Sequence, residues 1–370
     1  MNTHSQDATL PQEVAPWLEP WPTDQLEALG QCPICGDTSR KILHADLVDN
    51  TFYCAPGVWQ LFRCERCCSL YLDPQPSEQT IGTAYKQYYT HSSNESVDIN
   101  TRQHYSSLSL LRKLRRRLVN GYTNRRFGTS EHPEFVSGIL LGLLPKTGGR
   151  LIREFRSLPG PNGSQRTLLD LGCGDGDFLR VASTCGWEAI GVDPDPSAVK
   201  TAVKRGFQAY VGGIDFFEGQ SCLFDAIQLS HVIEHLHHPQ DVLDTCLRLL
   251  KPGGMIWIET PNAESPSLRL WGKHWRAFEA PRHLQLFTHS SLISALSAAG
   301  FESIEDGACN PFANSFICRA SYAMRLGHSP LTDVHVPMRF LLATKWYSAL
   351  GTISPRRRDF LTLTGHKPHH

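Results

Sequence analysis

The sequence lacks a charge imbalance, a long apolar segment and an internal repeat. Its 370 residues carry 36 Lys and Arg and 36 Asp and Glu, so the formal net charge is zero and bulk electrostatics give no attraction to nucleic acid or membranes. The best candidate for a membrane span, at 139–144, is interrupted by Gly142 and followed by Pro145, whereas a span needs roughly 18–20 apolar residues. The N-terminus shows no basic segment followed by an apolar core, so no signal peptide is visible. We therefore expect a cytoplasmic protein without a membrane span.

The length and the distribution of residues indicate several parts. A single core rarely exceeds about 250–300 residues, which favours one large domain with a smaller one. Apolar residues make up 41% of the chain, an ordinary fraction for a globular protein. We expect a disordered tail at 1–30, a cysteine-rich module at 31–75, a helical linker or cap at 76–160, an α/β domain at 161–320 and a C-terminal extension at 321–370.

Six of the twelve cysteines lie within the first 68 residues. In a reducing compartment such a cluster more often binds metal than forms disulfides. Two C-x-x-C pairs, Cys32 with Cys35 and Cys64 with Cys67, can together supply four thiolates to a tetrahedral, structural zinc ion. Cys54 is a spare candidate ligand, and a redox pair is the alternative, although nothing nearby indicates a thioredoxin unit.

Strand and helix patterns alternate from residue 166 onward. This alternation is typical of a parallel sheet covered by helices on both faces, where ligands bind beyond the carboxyl ends of the strands. The predicted strands lie at 167–171, 189–192, 207–211, 224–229 and 255–259, the predicted helices at 177–185, 239–250 and 290–299, and two apolar runs at 301–305 and 315–320 complete the set.

The first predicted strand runs into a glycine turn, DLGCGDG at 170–176. Glycines permit a sharp turn and a close approach of a ligand, and the start of the following helix offers free amide groups. The second strand ends at Asp193, whose carboxylate can accept both hydroxyls of a ribose. The spacing G-x-G-x-G differs from the dinucleotide fingerprint G-x-G-x-x-G, so a nicotinamide enzyme and an unrelated structural turn are the minor alternatives.

The glycine turn and Asp193 resemble the first motifs of class I S-adenosylmethionine-dependent methyltransferases, a strand followed by D-x-G-x-G-x-G and a second strand that ends in an acid. The resemblance implies an α/β fold with a Rossmann-like, doubly wound sheet of seven strands, the last one antiparallel. It implies that Asp170 orients the methionine end of the cofactor and that Asp193 binds its ribose. The implied cofactor-binding residues are Asp170, Gly172, Cys173, Gly174, Gly176, Asp193, Pro194, Gly213, Ile214 and Ser230.

Histidines follow the fourth predicted strand, in the segment SHVIEHL at 230–236. Methyl transfer is an in-line displacement from a sulfonium, so the enzyme must align the acceptor and remove a proton from a hydroxyl or enol. Histidine titrates in the useful range, which makes His231, His235 and the later His283 candidate catalytic residues. Purely structural histidines are the alternative.

A divalent metal ion is a further alternative for the same residues. His231, Glu234, His235 and His283 resemble the E-x-x-E-H motif and later histidine with which small-RNA 2′-O-methyltransferases hold a divalent ion on the acceptor hydroxyls. Here histidine replaces the first glutamate, which disfavours an oxygen-preferring ion such as magnesium.

Three residues are candidates for acceptor contacts. Glu234 lies in the histidine segment, Trp275 would offer an apolar face, and Arg282 would serve as a polar anchor. A tightly packed loop with aromatic filler is the alternative for the last two residues.

The N-terminal module, with the stretch LYLDPQP at 70–76 and then Tyr85, Tyr88 and Tyr89, resembles the zinc domain of methyltransferases related to sugar C-methyltransferases. Those enzymes carry a further large C-terminal domain, which the residues after 320 are too few to supply. The basic runs at 112–117 and 356–358 are expected to be solvated, with contact to a phosphorylated acceptor or RNA as the alternative. The zero net charge does not favour RNA.

The sequence therefore predicts a methyltransferase that acts on a small-molecule acceptor, such as a sugar or glycan precursor, a nucleotide sugar or a secondary metabolite. An RNA 2′-O-methyltransferase and a non-catalytic cofactor-binding protein are the alternatives. The intact glycine turn and Asp193 argue against the second of these.

Overall fold

The structure, a computed structural model, describes residues 15–85, 109–143, 145–160, 163–308 and 313–369. Tyr88, Tyr89 and the first half of the expected N-terminal tail lie outside these residues. The strands are β1 Leu26–Glu27, β2 Arg40–Leu47, β3 Trp59–Cys64, β4 Leu70–Leu72, β5 Gln75–Pro76, β6 Arg166–Leu171, β7 Trp187–Asp193, β8 Gln208–Val211, β9 Phe224–Ser230, β10 Leu250–Pro261, β11 Gln285–Leu286, β12 Glu302–Asp306 and β13 Phe360–His366. The helices are α1 Leu110–Phe127, α2 Pro145–Glu154, α3 Asp177–Thr184, α4 Pro196–Lys204, α5 Pro239–Leu249, α6 Pro266–Trp271, α7 His289–Ala299, α8 Ala313–Arg325 and α9 Met338–Ile353.

A seven-stranded sheet forms the centre of the large domain, with the strand order β12-β13-β10-β9-β6-β7-β8. The five strands from β10 to β8 in this order are parallel. Strand β13 runs antiparallel to both of its neighbours. The prediction of a doubly wound α/β sheet with an antiparallel last strand is therefore confirmed.

Both faces of this sheet are covered by apolar side chains. Successive residues of a strand point to opposite faces, and in β6 both Leu168 and Leu169 are fully buried, each in a different cluster of the core. This two-sided burial explains why the strand reads as a continuous apolar run rather than as an alternating one.

Short polar side chains define where two of the helices begin. Asp195 precedes α4, and its carboxylate accepts the Ser197 amide at 2.8 Å. Thr288 precedes α7 and forms a reciprocal capping pair with Ser291. Such caps satisfy amide groups that the first helical turn leaves without a partner.

The cysteine-rich module shares a sheet with the large domain. Its four strands have the order β11-β4-β3-β2, and β11 belongs to the segment that follows His283. Further hydrogen bonds hold the same junction, from the Leu72 amide to the Leu284 carbonyl at 2.9 Å and between the Ser69 and Ser291 hydroxyls at 2.8 Å.

Two expectations about the C-terminal part differ from the structure. The apolar run at 315–320 lies in α8, and the seventh strand is β13, inside the segment 321–370 that we expected to be an extension. The last strand of the sheet thus begins about 40 residues after the expected domain boundary at 320, because α8 and α9 are inserted before it. Within the described part of the chain, no helix combines the length and the apolarity needed to cross a bilayer.

Candidate active site

The glycine turn connects β6 to α3 and is hydrogen-bonded to the neighbouring strand β7. The Gly172 and Cys173 amides donate to the Val192 carbonyl at 2.8 and 3.1 Å. Gly172 has a φ of +75°, and a Cβ atom there would lie 2.5 Å from Cγ2 of Val232. A side chain at this position would therefore be strained and would push on the histidine segment.

Two further residues of the turn, Gly176 and Cys173, contribute through their backbone. Gly176 adopts a φ of +87° at the start of α3. The thiol of Cys173 is buried against Gly191, where a Cβ atom would meet it at 2.5 Å, and burial raises the pKa of Cys173 to about 12. Cys173 therefore offers only its backbone to a ligand.

Asp193 links the second strand to the glycine turn. One carboxylate oxygen accepts the Gly174 amide at 2.8 Å and the other accepts the Asp195 amide at 2.9 Å. The neighbouring Pro194 is exposed. Gly213 and Ile214 lie where the next strand ends, and Ile214 begins a short 3₁₀ turn. These residues border the carboxyl edge of the sheet, as the cofactor assignment requires.

Asp170 lies at the floor of the turn and is almost fully buried. Burial raises the pKa of its carboxyl group, although Arg156 opposes this effect from a distance of 2.6 Å. The second carboxylate oxygen, Oδ2, is buried and has no hydrogen-bond partner within the described residues. An unpartnered buried acceptor fits the positively charged amino group of a bound cofactor.

A cavity of about 310 Å³ opens beside these residues. It lies between α2, α3 and the ends of β9 and β10, and its lining includes Ser230, Phe178, Trp257, Arg153, Arg156 and Glu259. Its volume is within the range of small-molecule sites. Two of the lining arginines are paired with buried carboxylates, Arg153 with Glu259 and Arg156 with Asp170.

His231 lies between two buried carboxylates. Its Nδ1 atom is 3.2 Å from Glu234 and its Nε2 atom is 3.5 Å from Glu259, while Arg153 forms a two-pronged ion pair with Glu259 at 2.9 and 2.5 Å. Burial lowers the pKa of His231, but the two carboxylates outweigh it and raise the pKa to about 9. A protonated imidazole cannot accept a proton, so this geometry favours a charged, positioning role for His231 over the predicted role of a base.

Glu234, His235 and His283 form a second cluster. One ligand atom from each residue lies within 4.8 Å of the others, and the two imidazole rings are 4.6 Å apart. His235 Nδ1 lies 2.9 Å from the Arg282 carbonyl, and His283 Nδ1 lies 2.8 Å from the Ala277 carbonyl. Because a carbonyl only accepts, each Nδ1 carries a hydrogen in these contacts, and the lone pair of a neutral ring then lies on Nε2.

The pKa of His283 is shifted in the opposite direction from that of His231. Burial lowers the pKa of His283 to about 4, so its ring is neutral near pH 7. Burial opposes the ionisation of Glu234, but His231 lowers its pKa to about 2. The cluster thus combines one carboxylate with two imidazoles oriented by backbone carbonyls.

Arg282 and Trp275, expected as acceptor contacts, lie in the core instead. Both side chains are fully buried. Arg282 pairs with Asp49 through two hydrogen bonds, at 2.5 and 3.1 Å, and also donates to the Ala84 carbonyl at 2.9 Å. The arginine therefore fastens the cysteine-rich module to the large domain, and the prediction of a substrate anchor is corrected.

The four predicted zinc ligands come together. The Cys32 and Cys67 sulfurs are 3.7 Å apart, the Cys35 and Cys64 sulfurs are 3.5 Å apart, and all four lie within 4.8 Å of one another. A tetrahedral site with Zn–S bonds of about 2.3 Å has sulfur–sulfur distances of roughly 3.8 Å, so the cluster fits zinc. Cys54 lies elsewhere, 3.6 Å from Asp49.

Several residues at the site were not predicted from the sequence. Glu259 could have been suspected, because it lies near the carboxyl end of a buried strand. Arg153 and Arg156 carry no local signal. The Tyr85 hydroxyl, 3.0 Å from His235 Nδ1, was noticed only as part of a resemblance.

Comparison with known proteins identifies the large domain. Residues 146–306 match the family model described as a methyltransferase domain. The ubiquinone biosynthesis O-methyltransferase of Caulobacter vibrioides is 31% identical over an alignment of 143 residues, and the match covers 33% of this chain and 56% of that protein. The mitochondrial ubiquinone biosynthesis O-methyltransferase of Mus musculus is 27% identical over an alignment of 198 residues, and the match covers 45% of this chain and 52% of that protein.

A solved structure of an S-adenosylmethionine-dependent methyltransferase from Archaeoglobus fulgidus is 20% identical, with a TM-score of 0.40 over 61% of this chain and 94% of that one. The chain spans about half the length of the curated relatives it matches. The family model and the glycine turn together show that this protein contains a class I S-adenosylmethionine-dependent methyltransferase domain.

Proposed function

We propose that this chain transfers the methyl group of S-adenosylmethionine to an oxygen atom of a small-molecule acceptor. The cluster of Glu234, His235 and His283 carries the proposal, because it places two imidazole rings, each held at Nδ1 by a backbone carbonyl, next to the carboxyl end of β9. The related ubiquinone biosynthesis enzymes are named as O-methyltransferases, which supports oxygen as the methylated atom. Sugar or glycan precursors, nucleotide sugars and secondary metabolites are the acceptor classes we propose.

The residues around the cofactor site support binding of S-adenosylmethionine. Asp193 would accept hydrogen bonds from the ribose hydroxyls of the cofactor, and the unpartnered oxygen of Asp170 would face its amino group. Gly213 and Ile214 would border its adenine ring. The cofactor supplies a methyl group on a sulfonium with a neutral leaving group. The chain must then align the acceptor oxygen opposite that sulfur and exclude competing water.

His235 and His283 are the proposed bases. As the acceptor oxygen forms its bond to the methyl carbon, the carbon–sulfur bond breaks and the hydroxyl proton passes to one Nε2 atom. S-adenosylhomocysteine, the methylated acceptor and an imidazolium are the products of this step. His231, held by Glu234 and Glu259, would keep the histidine segment in place as a cation.

A screen with methyl-labelled cofactor tests the proposal. Purified protein would be incubated with hydroxylated sugars, nucleotide sugars and phenolic metabolites, and labelled products would be identified by mass spectrometry. His283→Gln should lower the rate with a responsive acceptor by roughly a hundredfold or more, the usual contribution of a general base. His328→Gln, at an exposed histidine, should leave the rate unchanged. Failure to bind S-adenosylhomocysteine in calorimetry would refute the proposal.

A divalent ion at Glu234, His235 and His283 is the second candidate for the same site. The donor set of two imidazoles and one carboxylate suits zinc, iron or manganese better than magnesium, and the carbonyl partners of both rings are typical of metal ligands. His231 would not join, since both of its nitrogens face carboxylates. Metal analysis that finds two divalent ions per chain, and only one in Glu234→Gln, would support it.

We also infer that the four cysteines hold a structural zinc ion, because four thiolates leave no position open for chemistry. A cytoplasmic location stays a prediction from the sequence. The zero net charge of the chain does not support the alternative of an RNA 2′-O-methyltransferase. Salt-dependent binding of RNA to the protein would be evidence for that alternative.

A further inference from the structure

Helix α9 exposes a stripe of large apolar side chains. Met338, Leu342, Trp346 and Ile353 are 67%, 58%, 63% and 82% exposed. Their spacing of four, four and seven residues places them on one side of the helix. Isolated exposed apolar residues need no explanation, but a continuous stripe on one helix marks an interaction surface.

The opposite side of the same helix is already buried in the protein. Phe340, Thr344 and Gly351 face the core, and Phe340 packs against Trp271 with ring centroids 4.9 Å apart. A helix that is apolar on both sides is normally covered on both sides. We therefore expect the exposed stripe of α9 to contact a second apolar environment outside the chain.

The charges of the chain segment that carries the stripe are of one sign. The segment 338–358 contains five basic residues and no acidic one. Arg339 and Lys345 flank the stripe on its two sides, and Arg356 and Arg357 lie exposed just beyond the end of the helix. The acidic residue that follows the segment, Asp359, is buried against Ser265 and does not reach the surface.

The basic end of the helix is held rigidly. The Asn262 side chain donates to the Arg356 and Arg358 carbonyls at 3.0 and 2.7 Å. Arg358 donates to the Gly351 carbonyl at 3.0 Å and to the Gly307 carbonyl at 2.8 Å. These hydrogen bonds fix the backbone of Arg356 and Arg357, which follow Ile353, the last residue of the apolar stripe.

We propose that α9 and Arg356–Arg357 form a surface that binds the interface of an anionic lipid bilayer. A Trp and Leu stripe between basic side chains is the composition of helices that lie in the plane of a membrane, and basic residues are attracted to anionic headgroups. A second copy of the chain is a poorer occupant, because a two-fold interface through this stripe would bring the basic residues of the two copies close together. The proposal does not depend on which acceptor is methylated.

Vesicle flotation with the full chain tests this surface. Vesicles of phosphatidylglycerol and phosphatidylcholine in equal parts should carry the protein, and vesicles of phosphatidylcholine alone should carry much less. Arg356→Gln with Arg357→Gln should weaken binding by roughly thirtyfold, since each basic residue near an anionic surface contributes about fivefold. Lys200→Gln with Lys204→Gln, which removes two charges from α4, should leave binding unchanged.

Trp346→Glu tests the apolar half of the surface. It should abolish flotation while the thermal unfolding midpoint stays that of the parent chain, because the side chain is mostly exposed. Equal binding to both kinds of vesicle, or no binding to either, would overturn the proposal. So would a dimer in light scattering that Trp346→Glu converts to a monomer, which would identify a second copy as the occupant.

Discussion

Replacing Gly172 by alanine tests whether the glycine turn and the histidine segment are in direct contact. The left-handed backbone at this residue costs an alanine about 1 kcal/mol. The added Cβ atom would lie 2.5 Å from Cγ2 of Val232, and overpacking of this kind costs about 1–3 kcal/mol. We therefore expect Gly172→Ala to lower the free energy of unfolding by about 2–4 kcal/mol, from the sum of the two terms.

Two further variants separate these contributions. Gly206 has a φ of +88°, and a Cβ atom there would meet nothing within 4 Å, so Gly206→Ala should show only the backbone cost of about 1 kcal/mol. Val232→Ala removes the clashing methyl groups and leaves a Cβ atom 3.8 Å away. In a double-mutant cycle, Val232→Ala should recover about 1–3 kcal/mol of the Gly172→Ala loss.

Urea unfolding gives the stabilities, and calorimetry with S-adenosylhomocysteine gives the affinities. Gly172→Ala should weaken cofactor binding, because any relief of the clash moves Val232 and the adjacent His231. Equal losses for Gly172→Ala and Gly206→Ala, with no coupling to Val232→Ala, would refute the packing that we describe.

Three other perturbations have defined outcomes. Asp49→Asn should destabilise the protein by about 1.5–3 kcal/mol in urea unfolding, because Arg282 would lose its two charged hydrogen bonds to Asp49 while keeping Glu279, 3.3 Å away, as its remaining counter-charge. Although burial opposes it, Arg282 lowers the pKa of Asp49. The stability difference from the parent should therefore be full above the usual Asp pKa of about 4 and shrink as the pH falls below it. Asp193→Asn should weaken S-adenosylhomocysteine binding in calorimetry by roughly tenfold to a hundredfold, since hydrogen bonds to charged groups contribute about 1.5–3 kcal/mol, whereas Asp195→Asn, which alters a helix cap, should not. Cys64→Ser should remove the bound zinc in metal analysis and lower the thermal midpoint, and unchanged zinc content would contradict the assigned ligand set.

The fold was predictable because its signals are local. Strand β6, the glycine turn and α3 are consecutive, and each glycine occupies a place that its own backbone conformation requires. The two C-x-x-C pairs are equally local, since each turn brings two thiolates together before any tertiary contact forms. Such patterns need only a few neighbouring residues to be recognised.

The unpredicted parts of the site depend on distant partners. Arg153 meets Glu259 from 106 positions away, and Asp49 meets Arg282 from 233 positions away. Nothing in the sequence near Arg282 distinguishes a buried ion pair from an open substrate anchor, because the same residue type serves both. The position of the last strand was missed for a related reason, since α8 and α9 separate β13 from the rest of the sheet.

The pairing of β11 with β4 has a consequence for how the molecule can be divided. The segment that matches the family model ends at residue 306, before β13, and begins at residue 146, after the cysteine-rich module. Expressed alone, it would leave the edges of β10, β11 and β12 without their partners, and bare strand edges promote aggregation. A unit that keeps these strands paired therefore runs from the first cysteine pair to the last strand, so the cysteine-rich module and the histidine site must be engineered together.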